Sequence, residues 1–259
     1  MSYKLVILAG GYGTRISEES MFKPKPMIDI GGKPIIWHIM KYYSIFGIKD
    51  FIICTGYKSN EIKEYFNNLF LHIDDVEFDF ANSSKKILTN NSEVDWKVKI
   101  IDTGLNTMTG GRLKKIREFV SKDEFFFMTY GDGLSDINIE KKIKFFKKSN
   151  KLALVSAVKQ PSRFGVMQIK DDLVHKFEEK PMNTETRING GFFILKPEAL
   201  KYIKNDQTVW EDYPLKKLAI TENLIAYKHN GFWQAMDTLR DKNYLDSLWN
   251  KKEAPWKIW

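Results

Sequence analysis

The chain has 259 residues, with 41 Lys and Arg against 33 Asp and Glu, a formal charge of +8. Hydrophobic residues make up 43% and charged residues 29%, an ordinary globular balance that excludes a disordered or low-complexity polymer. A single cysteine, Cys54, excludes an intrachain disulfide and a Cys-based metal site. It lies in the apolar run Phe51-Ile52-Ile53-Cys54 and reads as a small core residue. Four scattered histidines argue against a His-based metal site. No apolar stretch approaches the roughly 20 residues that span a bilayer, and the N-terminus enters a strand pattern without a signal-peptide cleavage site. The expectation is a cytoplasmic protein with no membrane partner.

In chain order, Lys4 to Ala9 reads as a buried strand followed by a Gly-rich turn. Ile35 to Phe46 carries Ile35, Ile39, Tyr42, Tyr43 and Phe46 at helical spacing, with Gly47 placed as a C-cap. Phe51 to Thr55 is a second strand, and Asn60 to Phe70 a second helix with Asn60 as its N-cap. This alternation predicts a Rossmann-like α/β fold, with a mostly parallel mixed sheet and helices on both faces. Val76 to Phe80 and Trp96 to Ile100 alternate around polar segments and predict a β-hairpin or β-rich excursion over about 76–106. Met108-Thr109-Gly110-Gly111-Arg112-Leu113 turns into a helix, and Glu124 to Tyr130 is an apolar strand ending at Gly131-Asp132-Gly133. Ile139, Ile143 and Phe146 give one packed face to a lysine-rich helix whose other face is solvated, so it is not read as a nucleic-acid patch. Further strands are predicted at 152–158, 165–169, 173–177 and 190–195, with a helical, Trp-rich tail over about 238–259. The absence of repeats and of a Pro/Ser-rich linker predicts one domain over 1–259.

Three segments carry chemistry. Leu8-Ala9-Gly10-Gly11-Tyr12-Gly13-Thr14-Arg15 follows the first strand, and its glycines let backbone N–H groups approach a phosphate. It is not the dinucleotide fingerprint, since position 16 is Ile16 rather than Gly, and no Gly-Lys-Ser/Thr ends it as in a P-loop. Arg15, Lys23 and Lys25 set three cations near these amides, and Pro24 and Pro26 predict an extended, rigid presentation of Lys25. Tyr130-Gly131-Asp132-Gly133 offers a carboxylate at the carboxyl end of a strand, where ligands of open α/β sheets bind. It reads either as a turn Asp or as a Mg²⁺ ligand, with Asp237 as a candidate second carboxylate. Lys180 before Pro181, and Asn189-Gly190-Gly191 entering a strand, suit a sugar phosphate and sugar hydroxyls, although Asn-Gly is also an ordinary turn.

Together these motifs resemble the sugar-1-phosphate nucleotidyltransferases, which show G-G-x-G-T-R, a K-P-K/A-P lysine segment, a G-D site and E-K-P in that order. Within them the chain is most similar to the branch acting on CTP and glucose 1-phosphate. The similar segments include Lys23-Pro24-Lys25-Pro26-Met27, Asp102-Thr103-Gly104, Thr129-Tyr130-Gly131-Asp132-Gly133, Arg163-Phe164-Gly165, Met236-Asp237-Thr238-Leu239-Arg240-Asp241-Lys242 and Ala254-Pro255-Trp256-Lys257. The resemblance implies a nucleotidyltransferase GT-A-like fold. It implies that CTP lies over Leu8, Ala9, Gly10, Gly11, Gly13 and Thr14, with Arg15 and Lys25 on its phosphates and Thr107, Arg112 and Gly131 in contact. It implies Mg²⁺ on Asp132 and Asp237, and a sugar phosphate held by Lys180 with Gly165, Glu179, Asn189 and Gly190. It also implies a homo-oligomer; the excursion and the tail residues Trp249, Trp256 and Trp259 are candidate interfaces, or, for the tryptophans, caps on the chain's own core.

Arg15, Lys25 and Asp132 are therefore the expected catalytic set. Alternatives remain open at this stage: UTP or dTTP in place of CTP, or another hexose 1-phosphate. A metal-dependent glycosyltransferase would show Asp-x-Asp where this chain has Asp132-Gly133-Leu134, and a silent nucleotide-sugar sensor would have lost some of Arg15, Lys25, Asp132 and Asp237.

Overall fold

The computed structural model describes residues 3–16, 19, 21, 23–88, 94–159, 166–170, 173–178 and 186–259. Its centre is an eight-stranded sheet: β1 Lys4–Leu8, β2 Asp50–Thr55, β3 Lys97–Asp102, β4 Phe126–Tyr130, β5 Ala153–Lys159, β6 Arg187–Asn189, β7 Phe193–Leu195 and β8 Leu224–His229. The order is β3-β2-β1-β4-β7-β5, with β6 continuing the line of β7 against β5 and β8 on the other side of β5. The first four strands are mutually parallel, and only the β6–β7 line runs antiparallel to its neighbours. The mostly parallel mixed sheet is thus as predicted.

Strand periodicity divides the core in two. Leu5, Ile7, Phe51, Ile53 and Phe127 face one buried cluster; Val6, Leu8, Ile52, Cys54, Phe126 and Met128 face the other. Side chains alternate across a strand, so a run apolar at every position is one covered on both faces. Helix α1 (Ile35–Ile45) and α2 (Ser59–Asn67) cover the first face, through Ile39, Tyr43 and Ile62. Helix α3 (Thr109–Lys115) and the helix Tyr213–Ile220 cover the second, through Leu113 and Leu218. Cys54 is a core residue whose thiol burial pushes up to about 12.

Several local expectations change. Val76–Asp79 does form a hairpin, but with Ser84–Ile87, while Lys97–Asp102 is the parallel edge strand of the main sheet, paired with β2. Alternation alone does not distinguish a half-covered edge strand from a hairpin arm. Asn60 is inside α2 rather than its N-cap; the helix starts at Ser59, whose hydroxyl is bonded to Thr55, after a left-handed Lys58. The strand expected at 190–195 is broken at Gly190-Gly191-Phe192, where Gly191 and Phe192 have φ of +71° and +50°. On the lysine-rich helix Ile139–Ser149, Lys142 is buried rather than solvated, and burial drives its amine pKa well down.

The C-terminal tail folds back on the chain. The helix Leu239–Asn250 begins with a capping box between Thr238 and Asp241. Trp249 packs against Gly31, whose positive φ of 58° and lack of a Cβ allow the approach. Trp256 is fully buried and stacks on Phe232. Its indole N–H donates to His38 Nδ1 at 3.3 Å, and His38 Nε2 lies 2.8 Å from the Ile30 carbonyl oxygen. Trp259 also packs against His38 and Trp249. Of the two roles considered for these tryptophans, packing on the chain's own core is the one the structure shows.

Burial holds His38 neutral, its pKa lowered to about 4 against 6.5 for the free side chain, despite backbone hydrogen bonds that favour the charged form. The unfolded chain therefore takes up the proton first as pH falls, and stability drops between 6.5 and about 4. The expected contribution is on the order of 3 kcal/mol across that window. Urea denaturation at about pH 7 and about pH 4.5 checks this, with His38→Gln expected to remove that part of the slope.

Candidate active site

A cleft of about 830 Å³ opens at the carboxyl ends of β1 and β4. These two strands are adjacent and parallel, and their outgoing connections diverge to opposite parts of the sheet, which is the topological switch point of such folds. Leu8, Ala9, Gly10, Gly11, Gly13, Thr14, Lys25, Thr107, Arg112, Gly131, Asp132 and Asp237 all line it. The backbone at Thr14–Ile16 makes a single 3-10 turn, and the side chain of Arg15 lies outside the described residues.

The centre of the cleft is an ion triad. Lys25 Nζ donates to Asp132 Oδ2 at 2.5 Å and to Asp237 Oδ1 at 2.7 Å. Burial pulls the Lys25 pKa down, but the charge and hydrogen bond of Asp132, with those of Asp237, outweigh it and hold the ammonium above its ordinary value. Pairing between Gly133–Ser135 and Trp233–Ala235 aligns the chain so that Met236 N donates to Asp132 O at 2.8 Å, which brings Asp237 beside Asp132. Asp241 then fixes Asp237 from behind, accepting its backbone N–H at 3.1 Å and that of Thr238 at 2.9 Å. Thr238-Leu239-Arg240-Asp241 is a capping-box pattern, with the Thr238 side chain and Asp241 closing the helix start behind Asp237.

Lys25 is held differently from the expectation. Pro24 is extended, but Lys25–Met27 forms a 3-10 turn, closed by Met27 N to Pro24 O at 2.7 Å. Gly131 lets this turn approach, since a Cβ there would lie 2.9 Å from Pro26 Cγ. Lys23 is not part of the group; it is exposed and paired with Asp29 at 2.8 Å.

Arg112 acts from behind the glycine loop. Its guanidinium is buried and donates to the carbonyls of Thr55 (2.8 Å), Gly104 (2.9 Å) and Gly10 (2.9 Å), and to the Thr103 hydroxyl (2.6 Å). A Cβ on Gly10 would overlap this guanidinium, so Gly10 is required for the clamp. The fork thus ties the glycine loop, the end of β2 and the 103–105 turn into one wall. Thr107 is buried beside it, its hydroxyl 3.4 Å from Lys115 Nζ.

The far wall carries residues that the motif reading did not single out. Tyr130 donates its hydroxyl to Glu211, and Thr109 donates to the other Glu211 oxygen at 2.6 Å. Thr109 Oγ1 also accepts from Trp210 N at 2.9 Å. Glu211 therefore pins the start of α3 to the end of β4. No local pattern marks an acid in Val209-Trp210-Glu211-Asp212 as a cleft residue. Asn189 and Gly190 border the cleft through Tyr130 rather than line it: Asn189 Nδ2 is 3.4 Å from the Tyr130 hydroxyl and its Oδ1 accepts from Gly191 N at 2.8 Å. The Gly190 carbonyl accepts from Trp233 Nε1 at 2.8 Å. Gly165, Glu179 and Lys180 lie outside the described residues.

Among the described residues no cluster of three or more His, Cys, Asp or Glu could enclose a metal ion. The two converging carboxylates, already holding a cation, fit a hard divalent ion whose remaining ligands are phosphate oxygens and water. No helix of the described residues is long and apolar enough to cross a membrane.

Arg112→Lys keeps a charge but loses the planar fork. It is expected to cost about 2–3 kcal/mol of stability, from buried carbonyls left without donors. Chemical denaturation checks this.

Known proteins resemble this chain over nearly its whole length. The chain is 54% identical over 256 residues to a glucose-1-phosphate cytidylyltransferase of Salmonella typhimurium, covering 99% of each. It is 38% identical to a probable glucose-1-phosphate cytidylyltransferase of Bacillus subtilis, covering 99% of this chain and 100% of that one. The crystal structure of HddC from Yersinia pseudotuberculosis superposes with a TM-score of 0.69 at 25% identity, over 95% of this chain and 99% of that one. An apo UDP-glucose pyrophosphorylase shares the fold, with a TM-score of 0.69 at 18% identity over 97% and 99% of the two chains. The nucleotidyl transferase family model matches residues 4–250, which takes in both carboxylates, the lysine and the glycine loop, and the chain belongs to that family.

Proposed function

We propose that the protein transfers a cytidylyl group from CTP to α-D-glucose 1-phosphate, giving CDP-glucose and pyrophosphate, with residues 1–259 acting as one nucleotidyltransferase domain. The observation that carries the chemistry is the Lys25–Asp132–Asp237 triad set against the glycine loop in one cleft. The names of the relatives at 54% and 38% identity support the choice of nucleotide and sugar.

In this reading the loop Gly10–Thr14 cradles the triphosphate with its backbone N–H groups, as glycine-rich turns do. Arg15 and Lys25 lie on the phosphates, and Thr107, Arg112 and Gly131 contact the nucleotide. Asp132 and Asp237 would hold Mg²⁺, which would neutralise phosphate charge. Lys180 binds the sugar phosphate, with Gly165, Glu179, Asn189 and Gly190 around the sugar. A phosphate oxygen of glucose 1-phosphate attacks the α-phosphorus of CTP in line, and the bond to the β-phosphate bridging oxygen breaks as pyrophosphate leaves. No general base is needed, because the attacking phosphate is already anionic. The protein's work is positioning and charge neutralisation.

The +8 charge suits two polyanionic substrates, which a positive field draws in. The same reading makes the protein a cytoplasmic homo-oligomer, supplying the first step towards CDP-linked deoxysugars of surface polysaccharide such as the lipopolysaccharide O-antigen.

Pyrophosphate release from each of the four NTPs with glucose 1-phosphate, with and without Mg²⁺, tests the proposal: CTP with Mg²⁺ is expected to be the best pair. Lys25→Ala and Asp132→Asn are each expected to lower turnover on the order of 10²–10³-fold. Near-normal turnover of Lys25→Ala at saturating substrates would contradict its role.

A further inference from the structure

The ammonium of Lys25 stands between the two carboxylates read as the metal-holding pair. Asp132 Oδ2 and Asp237 Oδ1 both point at one Nζ, 2.5 and 2.7 Å away. A magnesium ion sits about 2.0–2.1 Å from its oxygen ligands, so an ion bridging these two oxygens and the ammonium cannot share the notch. Charge leads to the same conclusion: two carboxylates and one ammonium leave a single net negative charge for an incoming dication. The ammonium is also mostly shielded, with the Lys25 side chain 13% exposed.

The lysine has a place to go. Its backbone is fixed by the Lys25–Met27 turn and by the contact of Pro26 with Gly131, but its flexible four-carbon stem can swing between rotamers without moving that turn. The glycine loop lines the same cleft, so phosphates seated on it present the ammonium with new anionic partners.

We propose that Lys25 is a displaceable counter-ion: it closes the Asp132–Asp237 pair in the nucleotide-free protein, and a divalent ion enters only together with nucleotide phosphates, which accept the ammonium in exchange. This rests on the reading of Asp132 and Asp237 as the metal-holding pair. Metal and nucleotide then bind with positive coupling, each raising the affinity for the other by the same factor. The lysine prevents a metal ion from settling in the empty cleft and delivers its own charge to the phosphates at the moment they arrive.

The test uses Mn²⁺ as probe, with unbound Mn²⁺ counted by electron paramagnetic resonance, on the full chain with and without CTP and without the sugar phosphate, the Mn²⁺ taken up by the same CTP without protein being subtracted. Wild type is expected to bind Mn²⁺ weakly alone and strongly with CTP. Lys25→Met is expected to bind Mn²⁺ alone at least roughly tenfold more tightly, within the usual range of such couplings. Lys25→Arg, which keeps the cation, is expected to stay weak, and Asp132→Asn added to Lys25→Met is expected to abolish the gain. Unchanged Mn²⁺ affinity in a folded Lys25→Met protein overturns the displacement while leaving the metal pair standing. Mn²⁺ binding with CTP that ignores Asp132→Asn removes the metal pair itself, and the inference with it.

If Lys25→Met does not fold, ¹⁵N-lysine ammonium spectra of wild type decide the matter, with the Lys25 signal assigned by its loss in Lys25→Arg. That signal is expected to move with Mg²⁺ and CTP together and to stay with Mg²⁺ alone. A shift with Mg²⁺ alone overturns the proposal.

Discussion

One ammonium between two carboxylates organises this molecule. Asp132 and Asp237 are 105 positions apart in the chain, and two like charges brought this close demand a cation. Lys25 supplies it in the free protein. Much of the surrounding architecture serves that meeting. Antiparallel pairing of Gly133–Ser135 with Trp233–Ala235 sets the register of the two acids, and the Thr238–Asp241 cap locks the second. Trp249 of the C-terminal helix packs on Gly31 in the hairpin Asp29–Pro34, which follows the Lys25 turn directly.

The glycine loop is the complementary half of the site. It offers backbone donors, and backbone donors orient an anion only if the loop itself is held. Arg112 holds it, spending its guanidinium on carbonyl oxygens of three different segments. Its positive charge remains beneath the loop, where it would add to the field met by phosphates proposed to sit there. The opposite wall is organised by an acid, Glu211, which bridges Tyr130 and Thr109. The cleft thus joins an amide-rich loop backed by Arg112, a lysine held between two carboxylates, and a wall braced by Glu211.

The fold was largely legible because strands covered on both faces read as unbroken apolar runs, as in Lys4–Leu8 and Phe126–Tyr130. Edge strands were harder: Lys97–Asp102 is only partly covered, so its alternation resembles a hairpin arm. The glycine loop, Lys25 and Asp132 stood out since each combines a turn with a charge. Pairing Asp237 with Asp132 depends on a long-range strand register that no local spacing encodes. The clamp by Arg112 and the bridge by Glu211 were hidden for the same reason, because their partners are backbone carbonyls and hydroxyls remote in sequence. Asn60 was misread as a cap because its residue type suits one, whereas the helix start is set by Ser59 bonding to Thr55.

The most direct measurement of the central claim is a crystal structure of the protein grown with CDP-glucose and a divalent ion. The account predicts the diphosphate against the Gly10–Thr14 loop, the ion on the carboxylates at 132 and 237, and the side chain at 25 turned from those acids onto phosphate oxygens. A nucleotide seated elsewhere on the sheet, with the ammonium still clasped between the two acids, would contradict it.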